Sequence, residues 1–140
     1  MRVMVLIKAN ADSESGKGPD EKILTAMGNF NEELVKAGVM LTGEGLHPSS
    51  SGKRVRLGGG KATVVDGPFA ETKELLAGFW IWQVKSMDEA VEWVKRSPLR
   101  DAETVIELRR VHELEDFGDE LTPEARAQEE RLRAEIASKS

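Results

Sequence analysis

The densest group of reactive side chains lies between Asp66 and Glu74, where the sequence reads Asp-Gly-Pro-Phe-Ala-Glu-Thr-Lys-Glu. The Asp-Gly-Pro start is typical of a tight turn, because Pro restricts the backbone, Gly tolerates tight backbone geometry and an Asp carboxylate accepts nearby N–H groups. A turn does not explain Phe69, a large apolar residue among charged ones. Asp66 is therefore either a turn former or an acid/base group, and the residues leave both open.

The second candidate base is His47, in the glycine-rich segment 43–48 after a predicted strand. It is either part of a structural turn or a general base. His112, the other histidine, is interpreted as a solvated side chain. Because the two histidines are far apart and the chain has no cysteine, the sequence predicts no zinc or iron site and no cofactor.

The segment Gly58-Gly59-Gly60-Lys61 does not fit a phosphate-binding loop, since Val55 and Ala62 occupy the positions where that motif has Gly and Ser/Thr. A hairpin tip is the better interpretation. The basic residues around it indicate a charged edge that opposes aggregation, with anion binding as the alternative. They are Lys53, Arg54, Arg56 and Lys61.

Alternation along the predicted strand Phe79–Lys85 puts apolar side chains on both of its faces. Two helices can cover the face of Trp80, Trp82 and Val84, so the opposite face needs a partner sheet or a ligand. Glu107 and Arg109 of the last strand are predicted to share that opposite face, as an exposed ion pair or as part of a lined cavity. The predicted ligand-binding residues are Phe79, Ile81, Gln83, Glu107 and Arg109.

The elements that position these residues follow the order β-α-β, hairpin, β-α-β, which predicts a ferredoxin-like α+β fold. A polar loop is expected over Ala9–Gly18, and helices are expected from Pro19 to Gly38 and from Ser86 to Pro98. Ser86 and Glu89 fit a capping box. The predicted strands are Val3–Lys8, Val39–Thr42, Lys53–Leu57, Ala62–Asp66, Phe79–Lys85 and Thr104–Val111.

The charge divides the 140 residues into two regions. Residues 1–112 carry 16 basic and 16 acidic residues, whereas residues 113–140 carry 4 and 9, which accounts for the net charge of −5. We predict a domain over 1–112 and an acidic extension over 113–140 with a helix starting at Thr122-Pro123. The absence of a basic footprint and of a long apolar run predicts no direct nucleic-acid partner, no membrane segment and a cytoplasmic location.

The chain resembles the DGPF subgroup of the YCII-related family. The motif Asp66–Glu74 carries the resemblance, followed by Gly78-Phe79 and Asp88-Glu89-Ala90, and segments 30–38 and 43–48 also fit. The resemblance covers residues 1–111. It implies a ferredoxin-like fold, a homodimer whose two sheets form an α/β barrel, and a cavity between them.

Two functions follow from these observations. The founding members of the family are thought to be enzymes because a His near the start of the first helix meets an Asp in the cavity, but segment 20–30 has no histidine here. The first hypothesis is a homodimer that binds a small polar or anionic molecule, with acid/base catalysis of isomerase or lyase type by Asp66 or His47. The second is a non-enzymatic binding or regulatory module, because the resemblance also implies an association with extracytoplasmic-function sigma factors.

Overall fold

The computed structural model describes residues 1–100 and 103–139 of the chain. Short 3₁₀ turns lie at Ser49–Ser51, Thr72–Glu74 and Leu114–Glu120. The strands and helices, in chain order, are β1 (Arg2–Lys8), α1 (Ala11–Glu14), α2 (Glu21–Lys36), β2 (Met40–Gly45), β3 (Lys53–Gly58), β4 (Lys61–Asp66), β5 (Leu76–Gln83), α3 (Met87–Lys95), β6 (Ile106–Arg110) and α4 (Pro123–Lys139).

The main sheet has four strands in the order β2-β5-β1-β6, and every neighbouring pair is antiparallel. This order, with a helix after the first strand and another after β5, is the split βαβ arrangement of ferredoxin-like α+β domains. The predicted fold class is therefore confirmed. The hairpin β3–β4 forms a separate two-stranded sheet inserted between β2 and β5.

Helices α2 and α3 cover one face of the main sheet and bury its aromatic side chains. Phe30 of α2 packs edge-on against Trp80 and Trp82, with ring centroids 5.8 and 6.5 Å apart. Trp82 is fully buried, and each such side chain contributes roughly 1.5–3 kcal/mol through removal from water. Gly43 is required beside this cluster, because a Cβ there would lie 2.5 Å from Trp80 Cδ1.

The helix ends follow their capping residues. Asp20 accepts a hydrogen bond from the Ile23 N–H at 2.9 Å at the start of α2, and Gly38 with φ +72° follows its end. Ser86 caps α3 by accepting from the Glu89 N–H at 3.1 Å. The Glu89 carboxylate accepts from the Lys85 N–H, so the predicted capping box is displaced by one residue.

Some predicted element bounds are wrong. Segment 9–18, predicted as a loop, contains the one-turn helix α1, which Asn10 and Ser13 cap reciprocally at 2.9 Å. This helix is too short for apolar periodicity to reveal it. Strand β2 runs to Gly45 rather than Thr42, because pairing with β5 extends it beyond its apolar residues.

The chain divides into two units, residues 1–110 and 111–140. The second contains the acidic 3₁₀ turn and α4, whose first turn is capped by Thr122 Oγ1 accepting from the Ala125 N–H at 3.1 Å. Exposed ion pairs one turn apart, such as Arg133 with Glu129 at 3.7 Å, support α4.

Truncation after His112 is expected to leave the first unit folded, because every member of its buried core cluster precedes residue 112. The measurement is thermal unfolding followed by the fluorescence of the buried tryptophans. Loss of a cooperative transition in the truncated chain would show that the extension is required for folding.

Candidate functional site

The main sheet has a second face, opposite α2 and α3, which is called the open face below. Strand register determines its members, because residues directly opposite in an antiparallel pair point to the same side. Met4 pairs with Ile81 and Arg109, and Leu6 pairs with Phe79 and Glu107. Lys8 follows a bulge in β1, and its ion pair with Glu107 places it on the same face. The eleven residues of the open face are Arg2, Met4, Leu6, Lys8, Thr42, Glu44, Phe79, Ile81, Gln83, Glu107 and Arg109.

The centre of the open face is apolar and half-buried. It consists of Met4 and Leu6 from β1 with Phe79 and Ile81 from β5. Gln83 lies at its edge, where the side-chain amide donates to the Met1 carbonyl at 3.2 Å. The structure therefore brings all five predicted ligand-binding residues to one face.

A chain of ion pairs borders the apolar centre on β1 and β6. Glu107 carboxylate oxygens lie 3.5 Å from Lys8 Nζ and 3.4 Å from Arg109 Nη1. The side chain of Arg109 is 71% exposed, whereas that of Lys8 is 23% exposed. Exposed pairs of this kind contribute at most about 1 kcal/mol to stability, so Arg109 can exchange its partner for a bound anion at little cost.

Asp66 does not act as a self-bonded turn former. Its carboxylate pairs with Lys53 Nζ on the opposite strand of the hairpin, and the side chain is 74% exposed. Within the described residues, no polar contact links Asp66 to Glu107 or Arg109. The expectation that its carboxylate accepts N–H groups of its own turn is wrong, because hairpin register places Lys53 directly across from it.

The Asp-Gly-Pro-Phe turn is instead held by Ser49, which lies in the loop after β2. Ser49 Oγ accepts from the Phe69 N–H at 3.1 Å and donates to the Glu14 carboxylate, which also accepts from the Ser49 N–H at 2.9 Å. A Cβ on Gly67 would lie 1.8 Å from the Ser49 carbonyl oxygen. These contacts, here called the Ser49 junction, explain why the turn needs glycine at position 67.

Two further contacts fix the hairpin beside this junction. The Gly67 N–H donates to the Gly52 carbonyl at 3.0 Å. The Arg54 guanidinium lies 3.9 Å from the centre of the Phe69 ring, which is a cation–π distance. Phe69, which a simple turn did not explain, therefore anchors the base of the hairpin.

His47 is exposed and lies two residues before Ser49. Asp66 immediately precedes Gly67, so the Ser49 junction joins the two segments that carry the predicted bases. Two shallow depressions on the described surface lie along α4 and at the start of α2, and no predicted site residue lines them.

The sequence matches the model of the YCII-related domain over residues 1–115. The chain belongs to the YCII-related domain family. An uncharacterised protein of Rhizobium meliloti strain 1021 is 34% identical over 79 residues, which are 56% of this chain and 64% of that protein. The match thus spans less than two thirds of that relative. Assignment to the DGPF subgroup stays a prediction.

Among solved structures, 5-chloro-2-hydroxyhydroquinone dehydrochlorinase (TftG) from Burkholderia phenoliruptrix AC1100, in complex with 2,5-dihydroxybenzoquinone, is similar to the chain with a TM-score of 0.44. The sequences are 21% identical, and the alignment covers 81% of this chain and 96% of that one.

The structure of this YCII-related chain adds Lys8, Glu14 and Ser49 to the predicted site residues. Lys8 could have been found from strand alternation, because it lies two residues after Leu6, and its ion pair with Glu107 shows that it shares that face. Glu14 and Ser49 are 35 residues apart in polar segments, where no local pattern signals a contact. Within the described residues there is no cluster of three or more potential metal ligands and no helix long and apolar enough to cross a membrane.

Substitution Gly67→Ala is expected to destabilise the protein by about 1–3 kcal/mol, because the added methyl group collides with the Ser49 backbone. Asp66→Asn is expected to cost less than about 1 kcal/mol, since it removes an exposed ion pair. The measurement is urea unfolding of each variant, in which a shift of the midpoint at unchanged m-value gives the change in the free energy of unfolding. Gly45→Ala is the control, because a Cβ there meets no atom within 4 Å. A larger loss for Asp66→Asn than for Gly67→Ala would contradict this account of the turn.

Proposed function

We propose that this YCII-related protein is a homodimer that binds a small amphipathic anion on the open face. The observation that carries the proposal is an apolar patch of Met4, Leu6, Phe79 and Ile81 bordered by the Lys8–Glu107–Arg109 ion pairs. Binding sites for small molecules combine an apolar lining with a few charged groups that orient the ligand. This surface has that composition.

The charges on the open face favour an anion over a cation. Its cationic residues are Arg2, Lys8 and Arg109, and its carboxylates are Glu44 and Glu107. A guanidinium has five N–H donors, and the Arg109 contact with Glu107 uses only one of its nitrogens. A carboxylate or phosphate can therefore form further charge-assisted hydrogen bonds with Arg109.

A second copy of the chain supplies the cover that a binding site needs. Sites for small molecules bury most of the ligand surface, whereas a flat sheet face covers only one side of it. A twofold dimer that pairs open faces would enclose the ligand between two sheets and would remove the apolar centre from water.

The ligand proposal is tested with small anions of graded apolarity, namely benzoate, 4-hydroxybenzoate and inorganic phosphate. We expect the aromatic carboxylates to raise the melting temperature more than phosphate, because they also bury apolar area on Phe79 and Ile81. Arg109→Gln should weaken benzoate binding about tenfold, which corresponds to one charge-assisted hydrogen bond.

Arg131→Gln is the matched control, because Arg131 is an exposed arginine on α4. Equal losses in the two variants, or stabilisation by phosphate alone, would contradict the proposed site. Light scattering that gives a monomer mass at micromolar concentration would contradict the dimer.

Acid/base catalysis is the second candidate function, favoured by the Ser49 junction that joins the segments of Asp66 and His47. A regulatory role with a sigma factor would need the same ligand site without a base. The catalytic and the regulatory candidates differ in one respect: only the catalytic one includes transfer of a proton to or from a carbon atom of the ligand.

The catalytic candidate predicts hydrogen–deuterium exchange at an acidic C–H of a ligand that co-purifies with the protein. Exchange in heavy water is followed by mass spectrometry, and it should be lost in Asp66→Asn or His47→Gln with the fold intact. Exchange that is equal in both variants and the parent would exclude these residues as bases. A bound ligand without exchange would favour the regulatory module.

A further inference from the structure

The hairpin β3–β4, residues 53–66 and called the arm below, is exposed along its whole length. All six residues of each strand are exposed, and the two strands form a sheet of their own. A two-stranded ribbon is at best marginally stable in water by itself. The arm is nevertheless fixed at its base, where Arg54 stacks on Phe69 and Lys53 pairs with Asp66.

The two faces of the arm differ in chemistry. Register places Val55 opposite Val64 and Leu57 opposite Ala62, so these four residues share one face. Arg54, Arg56 and Lys61 lie on the other face, together with Thr63 and Val65. The apolar face is bare, with Val55 57%, Leu57 80% and Val64 58% exposed.

The described part of the chain thus carries apolar side chains both on one face of the arm and at the centre of the open face. In a twofold dimer, every contact between two different surfaces occurs twice, because the symmetry axis repeats it with the two copies exchanged. In a closed dimer whose two open faces pair, the arm of each copy can therefore cover apolar surface at the border of the partner's open face.

The number of residues available supports this arrangement. A stable interface uses about 20–30 residues from each partner. The open face provides eleven residues, and the apolar face of the arm provides six, namely Lys53, Val55, Leu57, Ala62, Val64 and Asp66. The open face alone is about half of a standard interface, whereas the two faces together approach its lower limit.

We propose that the arm of one copy lies with its apolar face on a second copy of this chain, at the border of that copy's open face. The proposal deepens the proposed function, since it rests on the same dimer and adds the element that closes its ligand site. Asp66 and Lys53 share the apolar face of the arm, so the docked arm carries this pair to the interface.

The absence of cysteine in the chain allows a direct test in the full-length protein. A photo-crosslinker attached to Val64→Cys should join two chains, with attachment to peptides of the border strands β2 or β6. Thr63→Cys is the matched control, because it is the neighbouring exposed residue on the other face of the arm. Mixing chains of normal and heavy isotope content identifies crosslinks between copies by mass spectrometry.

A second measurement uses the charge variants Val64→Asp and Thr63→Asp, which alter exposed residues and leave the fold of each copy unperturbed. We expect Val64→Asp to raise the dimer dissociation constant about tenfold or more, because it places a charge in an apolar contact. Thr63→Asp should change it by less than about threefold.

The outcomes separate this proposal from the proposed function. Crosslinks within one chain only, or a Val64→Asp protein that dimerises like the parent, would overturn the arm contact and leave the open-face dimer standing. A parent protein that is monomeric at micromolar concentration would overturn both.

Discussion

Strand β5 imposes the constraint on which the remaining structure depends. It is central in the sheet, pairs with both β1 and β2, and carries aromatic side chains on both faces. Because successive side chains alternate, covering Trp80 and Trp82 with helices necessarily directs Phe79 and Ile81 to the opposite side. The helices can therefore cover the side chains on only one face of this strand. The other face is available for a ligand or a second sheet.

The core between the helices and the main sheet contains a buried polar group that is unpaired within the described part of the chain. Trp82 Nε1 is a buried donor with no hydrogen-bond partner among the described residues, and such a group costs about 1–3 kcal/mol. The neighbouring Trp80 avoids this cost by donating to Asn31 Oδ1 at 3.0 Å. Burial of the Trp82 ring against Phe30 and Trp80 offsets the penalty. Packing area therefore decides the position of Trp82.

The fold followed from local patterns, whereas the site depended on contacts that no local pattern encodes. The alternation in β5, the cap at Ser86 and the glycine stop at Gly38 are properties of adjacent residues, and they predicted the order of the sheet strands and of the two helices that cover them. The partner of Asp66 depended on hairpin register, which a turn-based argument does not consider. Glu14 and Ser49 meet only because the fold brings together two polar segments. A turn at Asp-Gly-Pro was predicted from the motif, whereas the contact of Gly67 with the Ser49 backbone and the stacking of Phe69 on Arg54 were not.

Whether Asp66 or His47 can act as a general base depends on how far each is removed from water in the proposed dimer. A general base gains most from a site that excludes water and holds its partner at hydrogen-bond distance. In one chain, Asp66 is 74% exposed and paired with Lys53, and His47 is also exposed. Neither environment resembles a closed active site. The proposed packing of the arm on a second copy would desolvate Asp66, because it shares the apolar face with Val55 and Val64. The proposed arm contact therefore bears on enzymatic activity through Asp66, whereas anion binding at Arg109 depends on the open face.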